Sequence, residues 1–331
     1  MDGAGGGIDW IAAARVFCTV VAYQGIAELL FGCLAVGFGG GFYKLAPISH
    51  FVSRALSILL LLGAERLGRR RPDGRRMLIV YAVAQLVTLW AAPMEVVSTA
   101  GRLWLSRSYV PYAAAETILR AALNSAWPIV LLVLLTRARI LAELTGGVRD
   151  RALPRPPAAR PATIGVVSMA LGIHVCLSVV GHVLPELVQW RAAVGWMASP
   201  AVRWAAPPIL VVVGGEAIVL LPPLVVGIVL MVGGVGLCFR RLWAAVLVEI
   251  TAILGCTING LWVLFLLVGV VVMGFDPASV RHMDGRMTGL ALTFLFGSGV
   301  CPLVVAWWIG RRANRRQLVR RREGTKRNQA Q

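Results

Sequence analysis

The chain has 331 residues, 58% of them apolar and 15% charged, with a net charge of +18 and a mean hydropathy of +0.77. Soluble domains run at about 45–50% apolar and about 25% charged. A single water-soluble core is therefore excluded, and lipid must cover part of the apolar surplus. The positive charge is nearly all arginine, Lys44 and Lys326 being the only lysines. The arginines cluster in short segments between apolar runs, which fits topology and anionic headgroups rather than nucleic acid. The six cysteines (Cys18, Cys33, Cys176, Cys238, Cys256 and Cys301) lie in or beside apolar runs without C-x-x-C spacing and read as small buried residues.

Residues 1–9 are a glycine-rich leader without the basic start of a signal peptide, so the first apolar run reads as a retained helix. The first predicted span is 16–38, with Arg15 at its start, Gln24 and Glu28 inside, and Gly39-Gly40-Gly41 at its end. The second, 45–64, is the least apolar and includes His50 and Arg54. A basic turn follows at 65–76, where Pro72-Asp73-Gly74 has turn chemistry. The third span, 77–100, contains Gln85, Pro93 and Glu95; 101–111 is an outer loop. The fourth, 112–136, holds Glu116, Arg120, Asn124 and Pro128.

Residues 137–163 are the longest connection, turning into the Pro/Arg-rich stretch PRPPAARP of an extended linker. They separate a first half, 1–136, from a second, 164–310. The fifth span, 164–187, carries His174, His182 and Glu186, and 188–208 reads as an outer segment. The sixth, 209–238, contains Glu216 and the pair Pro222-Pro223, which predicts a discontinuous helix. The seventh, 243–275, is joined to it by Phe239-Arg240-Arg241-Leu242, a connector with room for a tight turn only. Both runs exceed the ~20 apolar residues that cross a bilayer. The eighth span is 287–310, and 311–331 is a basic tail.

These elements give an all-α polytopic transmembrane bundle of about eight helices. Charge supports that topology: 65–76, 137–163, 239–242 and 311–331 together hold 23 of the 33 Lys/Arg, and the outer segments hold 7. By the positive-inside rule both termini are cytoplasmic, in the inner (plasma) membrane of a bacterium. If 45–64 lies on the membrane surface instead, seven crossings result and the N-terminus is outside.

The halves resemble each other. Gly63-x5-Arg69-Arg70 matches Gly234-x5-Arg240-Arg241, Gln85-Leu86-Val87-Thr88 matches Glu249-Ile250-Thr251-Ala252, and Pro128-x8-Arg137 matches Pro302-x8-Arg311. Four helices are an even number, so a duplication makes two parallel repeats about an axis normal to the membrane. The alternative is that arginine-ended apolar helices resemble one another by composition alone.

Ionisable groups at membrane depth are costly and mark candidate sites. Glu28, Gln85, Glu216, Glu249 and Asn259 are candidates for a transport path; Asn259 equally suits helix packing. Glu116 and Arg120 suit an intrahelical ion pair. His174, His182 and Glu186 are weak metal candidates, since no further ligand lies at their depth. Arg69, Arg70, Arg71, Arg240, Arg241, Arg311, Arg312, Arg315 and Arg316 are candidates for headgroup contact. Phosphate loops, nucleophile elbows and zinc motifs are lacking, so the sequence implies no cofactor and no catalytic residue. The leading reading is a non-enzymatic membrane protein with a structural or accessory role, partnered by lipid and by a membrane protein or a second copy. A small transporter or channel is the alternative, and a membrane-embedded enzyme the remote one.

Overall fold

The computed structural model describes residues 8–37, 48–102, 109–136, 161–197, 206–273 and 285–311. They form α1 (Trp10–Gly37), α2 (Ile48–Gly68), α3 (Pro72–Arg102), α4 (Tyr109–Thr136), α5 (Pro161–Met197), α6 (Ala206–Cys238), α7 (Leu242–Met273) and α8. The last runs as Gly285–Phe294, a π-helical segment Leu295–Val300, and Cys301–Gly310. The fold is an all-α bundle, and among the described residues seven helices are long and apolar enough to cross a membrane. The exception, α2, is 21 residues long, about 31 Å at 1.5 Å per residue, and carries Arg54, Glu65 and Arg66.

Two further contacts show how α2 sits. At one end it turns directly into α3. At the other, the Glu95 carboxylate near the far end of α3 accepts the Ser49 backbone N–H at 3.1 Å and the Ser49 hydroxyl at 2.8 Å. A carboxylate there satisfies an orphan donor of the first turn and faces the positive end of the helix dipole. Thus α2 follows α3 through the depth of the bundle, packed also on α1.

Both arginine turns share one construction. After α2, Arg70 N–H donates to Leu67 O and Arg71 N–H to Arg66 O; after α6, Arg240 N–H donates to Leu237 O and Arg241 N–H to Gly236 O. Arg70 and Arg240 occupy the left-handed region, with φ of 54° and 55°. The turn is thus made by a left-handed arginine, and Pro72-Asp73-Gly74 is not its centre. Pro72 opens α3, where its fixed φ suits a first helical position and its missing N–H costs nothing. Glycine is needed just beyond: a Cβ on Gly74 would meet the backbone of Arg66 and Leu67.

One end of the bundle gathers both turns, the start of α1 and α5 and the end of α4 and α8. Asp9 caps α1, accepting the Ala12 N–H at 2.9 Å, and its own N–H reaches Thr163 Oγ1 on α5 at 2.9 Å. Arg75 donates to the Leu135 carbonyl at the end of α4 at 2.8 Å. Arg15 and Arg69 both pair with Glu65. The Arg69 hydrogen bond, with the Arg15 charge behind it, holds the Glu65 carboxyl below the usual carboxylate range.

Three other expectations change. α6 runs as continuous helix through Pro222-Pro223. The irregularity lies in α8, where Pro302 cannot donate to the Ser298 carbonyl and the ladder widens, Cys301 N–H bonding Phe296 O. Residues 188–197, read as an outer segment, belong to α5. Of the linker, 161–163 are helical, Pro161 standing at a helix start, and 137–160 lie outside the described residues, as does the tail beyond Arg311.

Relief of the left-handed strain gives a first prediction. Arg70→Gly and Arg240→Gly should each leave stability unchanged or raise it by up to ~1 kcal/mol, while Arg70→Val lowers it by about 1–2 kcal/mol. Thermal unfolding in detergent micelles measures this. A second follows from Glu65: its depressed pKa stabilises the fold above the usual carboxylate range, and that contribution vanishes as pH falls below it. Glu65→Gln should remove this acid-sensitive component of the unfolding midpoint.

Candidate functional site

Three described ionisable side chains at membrane depth, Glu28, Arg54 and His174, come together along α1, which packs on both α2 and α5. Glu28 is thirteen residues above Arg15 along α1, and Arg54 is fourteen above Gly68 along α2, so both stand roughly 20 Å from the arginine turns. They form an ion pair in which the Glu28 side chain is 12% exposed and that of Arg54 32%. Gln24, one turn below Glu28, donates Nε2–H to Glu28 Oε1 at 3.2 Å. Its Oε1 lies 3.0 Å from His174 Nε2 on α5. The chain Arg54–Glu28–Gln24–His174 thus crosses three helices. Phe17 stands edge-on to the His174 ring at 5.9 Å and packs on Trp127 of α4.

A second group lies next to Arg54 on α2, facing α3. Gln85 of α3 donates to the Ser53 hydroxyl at 2.7 Å, and both side chains are buried. Arg54 Nε and Gln85 Oε1 are buried without a hydrogen-bond partner. Nearer the outer end, Trp90 Nε1 donates to Ser125 Oγ on α4 at 3.1 Å. Across the bundle, buried Asn259 donates to Ser298 Oγ of α8 at 3.1 Å and to the Gly255 carbonyl at 2.8 Å.

The predicted residues therefore divide. Glu28 and His174 join one network, to which sequence reasoning had assigned separate roles. Gln85 and Asn259 each bind a serine of the neighbouring helix. Glu249 is half-buried, eight residues past Arg241 and so about 12 Å from the turn, a different depth from Glu28. The side chain of Glu216 lies outside the described ones. His182 faces Thr293 at 3.3 Å; the side chain of Glu186 lies outside the described ones, and among the described residues no three metal-ligating side chains cluster. Glu116 is likewise outside, which leaves its pairing with Arg120 undescribed. Cys18 and Cys301 are buried, and Cys33 is on the outer surface of the bundle.

Of the headgroup arginines, Arg69 is held by Glu65, Arg70 and Arg240 make the turns, and Arg311 stacks on the Trp307 ring 4.1 Å from its centroid. Arg71 and Arg241 are exposed, and Arg312, Arg315 and Arg316 lie outside the described residues. An open cleft at the second turn is lined by Val232, Val235, Gly236, Phe239, Arg241 and Trp243. Arg54 and Gln24 were the residues sequence reasoning undervalued. The signal was present: Gln24 and Glu28 are one turn apart, and Arg54 is the one cation inside the second span.

No protein-family model matches the chain, and no curated protein or solved structure matches it either.

Removing one member of the ion pair strands the other. Glu28→Gln should destabilise the protein by about 2–3 kcal/mol, below the range for full burial because Arg54 is a third exposed. The double variant Glu28→Gln/Arg54→Gln should lose less than the sum of the singles. Unfolding midpoints of the three variants in one detergent check the coupling.

Proposed function

We propose that the chain is a non-enzymatic multi-pass membrane protein with a structural or accessory role, and that its interior polar side chains fasten helices rather than line an open path. The carrying observation is that the network ties three helices together: Glu28 takes both Arg54 and Gln24, and Gln24 takes His174. Polar groups that satisfy one another inside a bundle act as interhelical ties. The arginine-rich end of the bundle supports a cytoplasmic placement for the turns and for both termini, in a bacterial inner membrane. There Arg71, Arg241 and the tail beginning at Arg311 would meet anionic headgroups, at about 1 kcal/mol each near the surface. The partner expected besides lipid is another membrane protein or a second copy.

A small transporter or channel is the second reading. It is favoured by one observation: Arg54 Nε and Gln85 Oε1 keep unused hydrogen-bonding capacity at mid-depth. A polar solute or water could take it up.

Flux separates the two. In proteoliposomes with an entrapped pH indicator, the parent chain, Glu28→Gln and Glu249→Gln should show the same proton leak as protein-free vesicles. A leak that depends on the parent protein and falls at least tenfold in either variant replaces the first reading with the second. Reporter fusions at Arg71 and Gly146 should both land in the cytoplasm.

A further inference from the structure

The two arginine turns are the start of a longer correspondence. Their hydrogen bonds recur at one spacing, 170 residues from Arg70 to Arg240: Glu65, Leu67, Arg71 and Gly74 have counterparts in Val235, Leu237, Arg241 and Ala244. Packing follows the same register. Leu60 and Leu230 are both fully buried, as are Leu78 and Val248; Ile58 and Ile228 are both exposed, as are Val80 and Ile250. A Cβ on Gly63 would strike Leu78, and one on Gly233 would strike Val248. The composition match of Gly63-x5-Arg69-Arg70 with Gly234-x5-Arg240-Arg241 is one residue out of this register and that of Gln85 with Glu249 six; the counterpart of Gln85 is Gly255.

The flanking helices carry the register on. At 150 residues, Phe17 and Cys18 of α1 are buried as Val167 and Ser168 of α5 are, and Tyr23 and Ile173 are both exposed. The contact between first and second helix is conserved with its sizes reversed. Gly25 faces Ser57 in one half, and Val175 faces Gly227 in the other. Likewise Arg15 lies against Gly68, and Cys238 against Gly165. In the fourth helix, Leu131 and Leu135 answer Val305 and Ile309 at 174 residues, all fully buried. Ser125 and Ser298 answer each other at 173; each hydroxyl bonds the carbonyl four residues back and receives a donor from the third helix of its half. The extra residue is accounted for by the π-helical segment Leu295–Val300, which inserts one between them.

We propose that the chain is two fused copies of one four-helix unit, α1–α4 and α5–α8, docked on each other through a surface that fits a second unit of its own kind. The docking is isologous: α1 packs on α5, α4 on α5, and α8 on α1. Gln24 and His174, 150 residues apart, are the same position in the two copies and bond each other across the interface. All four helices of each unit share an orientation with those of the other, which makes the pseudo-two-fold axis normal to the membrane. The polar site is thereby placed between the units.

Grafts in the full-length chain test this. Replacing 235–244 with the sequence of 65–74 should leave membrane insertion intact and the unfolding midpoint in micelles within about 5 °C. The same decapeptide placed one residue late, over 236–245, should cost at least twice that. If the matched graft is no better than the slipped one, the register is wrong and the duplication fails. At the interface, His174→Gln installs the side chain that the other copy carries and should hold the midpoint within about 2 °C, whereas His174→Leu lowers it clearly. If glutamine falls as far as leucine, the two positions are not equivalent and the docking proposal fails.

Discussion

A carboxylate and a guanidinium held roughly 20 Å from the arginine turns set the terms for the rest of the bundle. In hydrocarbon an isolated charge at that depth is costly, and unpaired hydrogen-bonding groups cost several kcal/mol each. Glu28 and Arg54 are tolerable there only as a pair, and a pair requires α1 and α2 to lie side by side at fixed height. That height is set from below, where Arg15 and Arg69 converge on Glu65, and from above, where Glu95 caps α2. The one long helix not apolar enough to count as a span is thus held at both ends. Its shortfall in hydrophobicity and its place between α1 and α3 are two sides of one fact.

Elsewhere close approach replaces polar pairing. α5 and α6 meet through Gly165, Gly172, Gly227 and Gly234, where a Cβ would strike the partner's backbone. Ser168 uses the proximity to donate to the Leu230 carbonyl at 2.8 Å. With lipid on the outside there is little hydrophobic gain in bringing helices together, so packing and short hydrogen bonds carry association.

Much of this was legible in the sequence because it depends on length and charge. Helices of bilayer length, arginine at the turns and a charge-free run from Ala217 to Cys238 follow from counting. What was not legible depends on a partner distant in sequence. Arg54 reads as a defect in its helix until Glu28 of another helix is beside it. Pro72-Asp73-Gly74 has the composition of a turn, but the left-handed Arg70 had already reversed the chain, and nothing in an arginine announces a positive φ. Pro222-Pro223 advertises a break that continuous neighbouring turns absorb, whereas the single Pro302, following Gly297-Ser298-Gly299, widens its helix because flexible residues stand where the ladder gives way.

On the proposed duplication, the two halves differ where one position is filled in two ways. Between α2 and α3, Ser53 and Gln85 fill the space with side chains that bond each other. Their counterparts between α6 and α7 are Pro223 and Gly255, which present little bulk and no side-chain donor. That gap is occupied by the π-helical part of α8: a Cβ on Gly297 would come within 3.0 Å of Pro223, and one on Gly255 would strike the Ser298 carbonyl. Asn259, one turn above Gly255, holds the intruding segment by its serine. A polar pair in one half and a wedged helix in the other are alternative fillings of one site. The wedge sets the fourth helix against both legs of its hairpin. The irregular part of α8 thus sits where Pro223 and Gly255 offer little bulk, and a side chain at position 255 has no room while the wedge is in place.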